Sequence, residues 1–188
     1  MKFCSHCGSS SLEQRIPEGD TLPRWVCGNC GTIHYQNPKI VVGCLPDWEG
    51  RVLLCRRAID PRHGLWTLPA GFLENGETLV AGAARETTEE ARARVDVGAL
   101  YTVISLPHIN QVYMMFRARL LDLDFGPGPE SLDVCLFEED DVPWNELAFR
   151  TIGRTLRHYF LDRKLNEFSV HVSALDRRSP CPELSGAA

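Results

Sequence analysis

The sequence predicts an α/β fold: a layered sandwich of helices around a mixed sheet, preceded by a small module built on cysteines. Three observations carry this. Two Cys-x2-Cys pairs stand in the first thirty residues, as Cys4/Cys7 and Cys27/Cys30. Beyond them, short β-branched and apolar runs lie on both sides of one Ala- and Glu-rich stretch without proline. The chain of 188 residues, 44% hydrophobic and 24% charged, has an ordinary globular composition. Folding a chain of this mass leaves about 9,000 Å² of surface exposed out of about 30,000 Å², so a core forms without disulfides. At about 100–200 residues per domain, one domain plus a small module is expected.

The cysteine module comes first. Nineteen residues separate Cys7 from Cys27, and glycine follows each pair as Gly8 and Gly31. That is the spacing of a four-thiolate zinc site, and a residue free to take positive φ lets the chain turn back toward the metal. Four sulfurs leave no open coordination position, so Zn2+ at Cys4, Cys7, Cys27 and Cys30 would be structural. Two disulfides or a redox pair are the competing readings. The lack of a secretory leader argues against the first, and the matched second pair against the other. Short strands are expected at 12–16, 24–26 and 32–35, giving a zinc ribbon over 1–37. Cys44, Cys55 and Cys135 lie in apolar runs and read as core, while Cys181 lies in the tail.

The larger domain is expected over 38–170, with 171–188 as a C-terminal tail. Lys39–Leu45 and Val52–Arg56 read as a hairpin about a turn at 47–50. Residues 61–69 read as a loop. Leu79–Ala93 reads as a helix, and 95–106 and 111–121 as strands. Phe125-Gly126-Pro127-Gly128-Pro129 is a loop, followed by a strand over 132–137. Phe149, Ile152, Leu156, Tyr159 and Phe160 give 148–162 helical periodicity.

The net charge of −5 argues against a nucleic-acid partner that tracks phosphates. The first 37 residues hold three basic and three acidic groups, so the excess lies in the larger domain. No apolar run is long enough to span a membrane, so no membrane partner is expected. A cytoplasmic location is expected, since the first residues do not read as a secretory leader and the thiols read as unpaired.

The most informative stretch is 71–93. On a helix Glu86, Glu89 and Glu90 share one face. A solvated acidic face is one reading, and a site for a hard cation such as Mg2+ or Mn2+ is the other. Gly71, Glu77, Arg85, Glu86, Glu89 and Glu90 then stand at the offsets G-x5-E-x7-R-E-x2-E-E. At about 5% per position, a chance match is on the order of 10⁻⁸ per start site.

This pattern resembles the Nudix box. Two positions depart from it: Thr87 stands at an apolar position, and Arg92 replaces the late glycine that helps end the helix. The resemblance implies an α/β/α sandwich and a hydrolase that cuts the phosphoric anhydride of a nucleoside diphosphate derivative. It implies that Glu86, Glu90 and the carbonyl of Ala70 ligate Mg2+ or Mn2+, with Glu89 completing the cluster or positioning water. Arg85 and Glu77 would hold each other and the carboxylates. The general base would be a box glutamate or one on a later loop. Glu138 and Glu139 are the candidates there, in a stretch from Glu130 to Glu146 with seven acids and no base.

The strings NPKIVVGCL, GLWTLPAGF and GPGPESLD are similar to a group that includes FAD and ADP-ribose pyrophosphatases. FAD or ADP-ribose is therefore the expected substrate. Arg56 and Arg57 are weighed as phosphate contacts against solvated strand ends. Trp66, Phe72 and Tyr113 are candidates for stacking on a base, with core packing as the competing reading. Arg57 and Phe72 are carried forward as substrate-binding residues. His108 and His158 read as ordinary. The NADH pyrophosphatase branch shares a zinc ribbon, but its S-Q-P-W-P-F-P-x-S array is absent from 101–108. A non-hydrolytic nucleotide sensor would have shed box carboxylates, and this chain keeps them. A nucleic-acid adaptor would need a basic ribbon, and the ribbon here is neutral. A protein–protein or dimer-interface role is expected for the ribbon instead, and the resemblance implies a homodimer.

Overall fold

A computed structural model describes residues 1–176. The chain divides into two compact units, Met1–Asn37 and a second beginning at Pro38. The boundary falls before a proline, where helix is disfavoured.

The first unit is a three-stranded antiparallel sheet: β1 (Leu12–Arg15), β2 (Arg24–Cys27) and β3 (Ile33–His34). Each Cys-x2-Cys pair closes a turn of the same shape. The Gly8 N–H donates to the Cys4 carbonyl and the Gly31 N–H to the Cys27 carbonyl, both at 2.9 Å. Both glycines have φ of 73°, the left-handed region that their place after the cysteines predicts.

In the second unit, β4 (Lys39–Trp48) and β5 (Arg51–Arg57) form the expected hairpin. Two short strands follow, β6 (Trp66–Thr67) and β7 (Ala70–Phe72). Then come α1 (Leu79–Ala91), β8 (Val95–Leu106), β9 (Gln111–Leu120), β10 (Ser131–Phe137), α2 (Arg150–Leu165) and β11 (His171–Ala174). The sheet order is β10-β5-β4-β9-β8-β11, with β6 beside β5 and β7 beside β4. The β4–β9 and β8–β11 pairs are parallel and the others antiparallel, so the sheet is mixed.

Period-two alternation sends neighbouring side chains to opposite faces. Val52 and Leu54 of β5 join Leu45, Met115, Ile152, Leu156 and Phe160 on the α2 face. Leu53 and Cys55 pack with Ala91 and Leu120, and Val42 and Cys44 with Ala83 and Phe116, on the α1 face. One helix therefore covers each face, which is the α/β/α sandwich.

Three expectations need correction. Residues 61–69 contain β6, because Trp66 buries its ring edge-on to Phe137, with centroids 5.0 Å apart, and pairs with Arg56. The tail does not begin at 171: residues 171–174 extend the sheet beside Thr102–Ser105. The second helix starts at Arg150 rather than 148, because Phe149 is extended and serves as its N-cap. Cys44 and Cys55 are buried as expected, and Cys135 is half-buried. Cys181 lies outside the described residues.

Thr78 caps α1, accepting from the Ala81 N–H at 3.1 Å. At the other end Arg92 takes φ of 50° and donates its N–H to the Thr88 carbonyl. The chain thus keeps the left-handed turn where the box has glycine, at a steric cost of about 1–2 kcal/mol. Arg92→Gly removes that cost and adds some unfolded-state entropy. A net gain of about 0.5–1 kcal/mol is expected, raising Tm by about 2–3 °C in a thermal melt.

Candidate active site

Helix α1 places Glu86 and Glu90 one turn apart on its buried side, 9% and 7% exposed. Glu89 lies at the rim, its side chain 57% exposed. The three share a cavity, as the helical spacing predicts, but only two reach its buried wall.

Arg85 organises this end. It donates Nε and Nη2 to the two oxygens of Glu77 at 3.0 and 2.8 Å. Its Nη1 reaches Glu86 at 2.8 Å and Glu89 at 3.0 Å, and Nη2 also reaches the Phe72 carbonyl. Glu77 accepts from the Glu74 N–H as well, and the Arg85 hydrogen bonds in particular hold its carboxyl down at about 2. Glu77 thus fixes Arg85 from behind, and Arg85 fixes the carboxylates.

Burial works the other way on the inner pair. It raises Glu86 despite Arg85 beside it. It raises Glu90 to about 8, with the charges of Glu86 and Glu130 adding to it. The Ala70 N–H, 3.1 Å from the Glu90 carboxylate, and the Arg57 charge oppose the rise. Gly71 is glycine for a steric reason, since an added Cβ would overlap the Glu86 carboxylate.

Sequence reasoning missed several residues that line the cavity, among them Asp60, Arg62, Glu74 and Glu130, and Glu130 is the one whose charge acts on the inner pair. It lines the same cavity and faces Glu86 and Glu90 closely enough to raise both. The loop before it is docked on the end of α1: Gly126 N–H donates to Ala91 O at 2.9 Å and Gly128 N–H to Glu90 O at 3.0 Å. The signal was the GPGP run, whose backbone satisfies the last helix carbonyls and delivers the next acid to the cluster. Glu138 and Glu139 do not line the cavity, and Glu139 pairs with Lys164 at 2.8 Å. Glu139 opens a one-turn helix, Glu139–Asp141, beyond β10, and Glu138 is the extended residue before it.

Basic and aromatic residues also line the cavity, whose volume is about 980 Å³. Arg57 is 9% exposed, donates Nε to the Pro61 carbonyl and lies over the Phe149 ring. Arg56 turns away to the Gly64 carbonyl. Phe72 lines the cavity, 49% exposed, with Lys39 Nζ 5.0 Å from its ring centre. Tyr113 and His108 also line it, whereas Trp66 is core. His158 is remote from it, stacked on His171 with ring centres 3.9 Å apart.

The donor set fits a hard divalent cation. Six carboxylates line the cavity, those of Asp60, Glu74, Glu86, Glu89, Glu90 and Glu130, and Glu86 and Glu90 are buried at the expense of their ionisation, an arrangement that a cation relieves. The four cysteines fit a different ion. Their Sγ atoms all lie within 4.8 Å of one another. Cys4–Cys30 and Cys7–Cys27 are 3.7 and 3.6 Å apart. A tetrahedron with bonds of about 2.3 Å has edges of about 3.8 Å, far from the roughly 2.05 Å of a disulfide.

Family profiles match both units of the chain. A family profile described as Nudix N-terminal matches residues 2–36, and one described as NUDIX domain matches 37–159. A crystal structure of a NUDIX hydrolase from Nitrosomonas europaea is 61% identical, covers 94% of this chain and all of that one, and superposes with a TM-score of 0.91. An ADP-ribose pyrophosphatase from Streptococcus suis shares the fold at 22% identity, covering 72% of this chain and 99% of that one, with a TM-score of 0.60. An NAD-capped RNA hydrolase of Vibrio atlanticus is 39% identical over 94 residues, 48% of this chain and 31% of its own length. The chain thus spans about a third to a half of the length of such curated relatives.

Proposed function

The chain belongs to the Nudix family, and from that premise we propose that it hydrolyses the diphosphate linkage of a nucleoside diphosphate derivative, FAD or ADP-ribose. The observation that carries this is the convergence of Glu86, Glu89, Glu90 and Glu130 in one cavity that Arg57 and an exposed aromatic ring also line.

Glu86, Glu89 and Glu90, with the Ala70 carbonyl, would hold Mg2+ or Mn2+. Once bound, such an ion neutralises the diphosphate and acidifies a water. Arg85, fixed by Glu77, keeps the carboxylates aligned before substrate arrives. Glu130 replaces Glu138 and Glu139 as the base: it accepts the proton as the water oxygen bonds to phosphorus and the bridging P–O bond breaks. Arg57, whose charge acts on Glu90, contacts the phosphate oxygens, and Phe72 stacks on the base or flavin. Zn2+ on the four cysteines is structural.

The names of the curated relatives favour a second substrate, an NAD-capped RNA. The net charge of −5 weighs against a long RNA track. Leu106, His108 and Ile109 line the cavity from the stretch where the NADH branch carries its array.

A Mg2+-dependent panel of FAD, ADP-ribose, NADH and NAD-capped RNA, with products separated by chromatography, tests this. AMP with FMN or ribose 5-phosphate is expected, with Glu130→Gln at least a hundredfold slower and Glu139→Gln unchanged. Cleavage of NAD-capped RNA alone would overturn the substrate assignment, and an active Glu130→Gln would overturn the base.

A further inference from the structure

We infer that His34 is a working fifth member of the cysteine site, donating its Nε2–H to the Cys4 sulfur and so holding that thiolate to the metal. This rests on the zinc reading of the four cysteines. The His34 ring stands on β3, half-buried, with Nε2 3.3 Å from Cys4 Sγ.

The geometry makes it a donor to the sulfur rather than a ligand. The four sulfurs lie within 4.8 Å of one another, two of the edges being 3.6 and 3.7 Å, and a four-thiolate tetrahedral site leaves no fifth position. Four thiolates on one divalent cation carry two negative charges in excess, so the sulfurs are strong acceptors. Hydrogen bonds to them draw charge off sulfur and weaken its attraction for protons and oxidants, which keeps it on the metal.

Two of the other sulfurs have a side-chain neighbour of the same kind. Thr32 Oγ1 lies 3.1 Å from Cys30 Sγ, and Asn29 Nδ2 lies 3.6 Å from Cys7 Sγ. His34 differs from both in serving a buried sulfur, since Cys4 is 2% exposed while Cys7 and Cys30 face solvent. Water can stand in for a lost donor at the exposed sulfurs, but it reaches Cys4 poorly. The loss of His34 therefore has the larger effect. The pairing of His34 with Trp25 of β2 fixes the ring's place, so the bond is set by sheet register rather than by a flexible loop.

The test uses the full chain, zinc content by metal analysis, and the rate of zinc release to an excess of a chromogenic chelator. His34→Phe keeps a flat ring of similar size without the donor. His34→Gln keeps a side-chain N–H at similar reach. One equivalent of zinc is expected in all three proteins. His34→Phe should release it at least about tenfold faster than wild type, and His34→Gln within about threefold of wild type. Release from His34→Phe at the wild-type rate would overturn the inference, as would His34→Gln releasing as fast as His34→Phe. Absence of zinc from the wild type would instead overturn the zinc reading itself.

Discussion

Glu90→Gln is expected to lower kcat by about 10³-fold while leaving the fold intact. The loss corresponds to about 4 kcal/mol of transition-state stabilisation, the scale of removing one anionic anchor for a catalytic cation. Gln fills the same space and its carbonyl can still accept from the Ala70 N–H, so packing survives. The same substitution has a second, opposite effect on stability. In the metal-free protein the Glu90 carboxyl titrates near 8, against about 4.5 when unfolded. Below pH 4.5 both states are protonated and the group is neutral in the balance. Between 4.5 and 8 the unfolded chain sheds its proton while the folded one keeps it, so stability falls as pH rises, and above 8 the full penalty is present. Melts without added Mg2+ at pH 5 and pH 8 should show this fall in wild type and a smaller one in Glu90→Gln. The rise in Tm on adding Mg2+ should grow over the same interval. A pH-independent Mg2+ effect would mean that the buried carboxylate is not where the ion binds.

Gly128→Ala is expected to be the most disruptive small substitution. A Cβ there would fall on the backbone carbonyl of Glu89, so the loop has to lift off the end of α1. Both N–H bonds that close the helix are then strained, and Glu130, two residues on, moves away from Glu86 and Glu90. A loss of about 3 kcal/mol is expected, the upper part of the usual overpacking range, lowering Tm by about 9 °C. Activity should fall with it even at temperatures where the protein is folded. Gly126→Ala is the control, because an added Cβ there meets nothing within 4 Å and the N–H bond to Ala91 is kept. It should change Tm by less than about 2 °C. Equal effects at the two positions would contradict the docking of this loop.

Much of the site was legible because its geometry is local. Glu86 and Glu90 face one cavity because a helix repeats every 3.6 residues, and the paired Cys-x2-Cys-Gly strings state their own turns. The bounds of β8 follow its apolar run to the residue. What escaped depends on contacts between distant segments. The strands β6 and β7, of two and three residues, are too short to show alternation and exist because β5 and β4 lie beside them. Strand β11 has only four residues, with the apolar Val172 and Ala174 exposed, and its pairing with β8 is visible only in three dimensions. Charge density drew attention to Glu138 and Glu139, but the position of a carboxylate is set by what docks its backbone. Gly126 and Gly128 dock Glu130, whereas the acids at 138–141 sit on a surface turn. Arg92 shows the converse case. The departure from glycine suggested an altered helix end, and the backbone takes the left-handed turn regardless.

The central claim is that the carboxylate cavity cuts a phosphoric anhydride with a divalent cation. The most direct measurement is single-turnover hydrolysis of ADP-ribose by the full chain, with and without Mg2+, beside Glu86→Gln and Glu90→Gln. The account predicts AMP and ribose 5-phosphate only with Mg2+ and only from the wild type, with both variants at least about 10³-fold slower. Bound but uncut ADP-ribose and FAD in wild type with Mg2+ would contradict it and leave a nucleotide-binding domain without chemistry. Turnover at the wild-type rate in both variants would place the reaction elsewhere in the molecule.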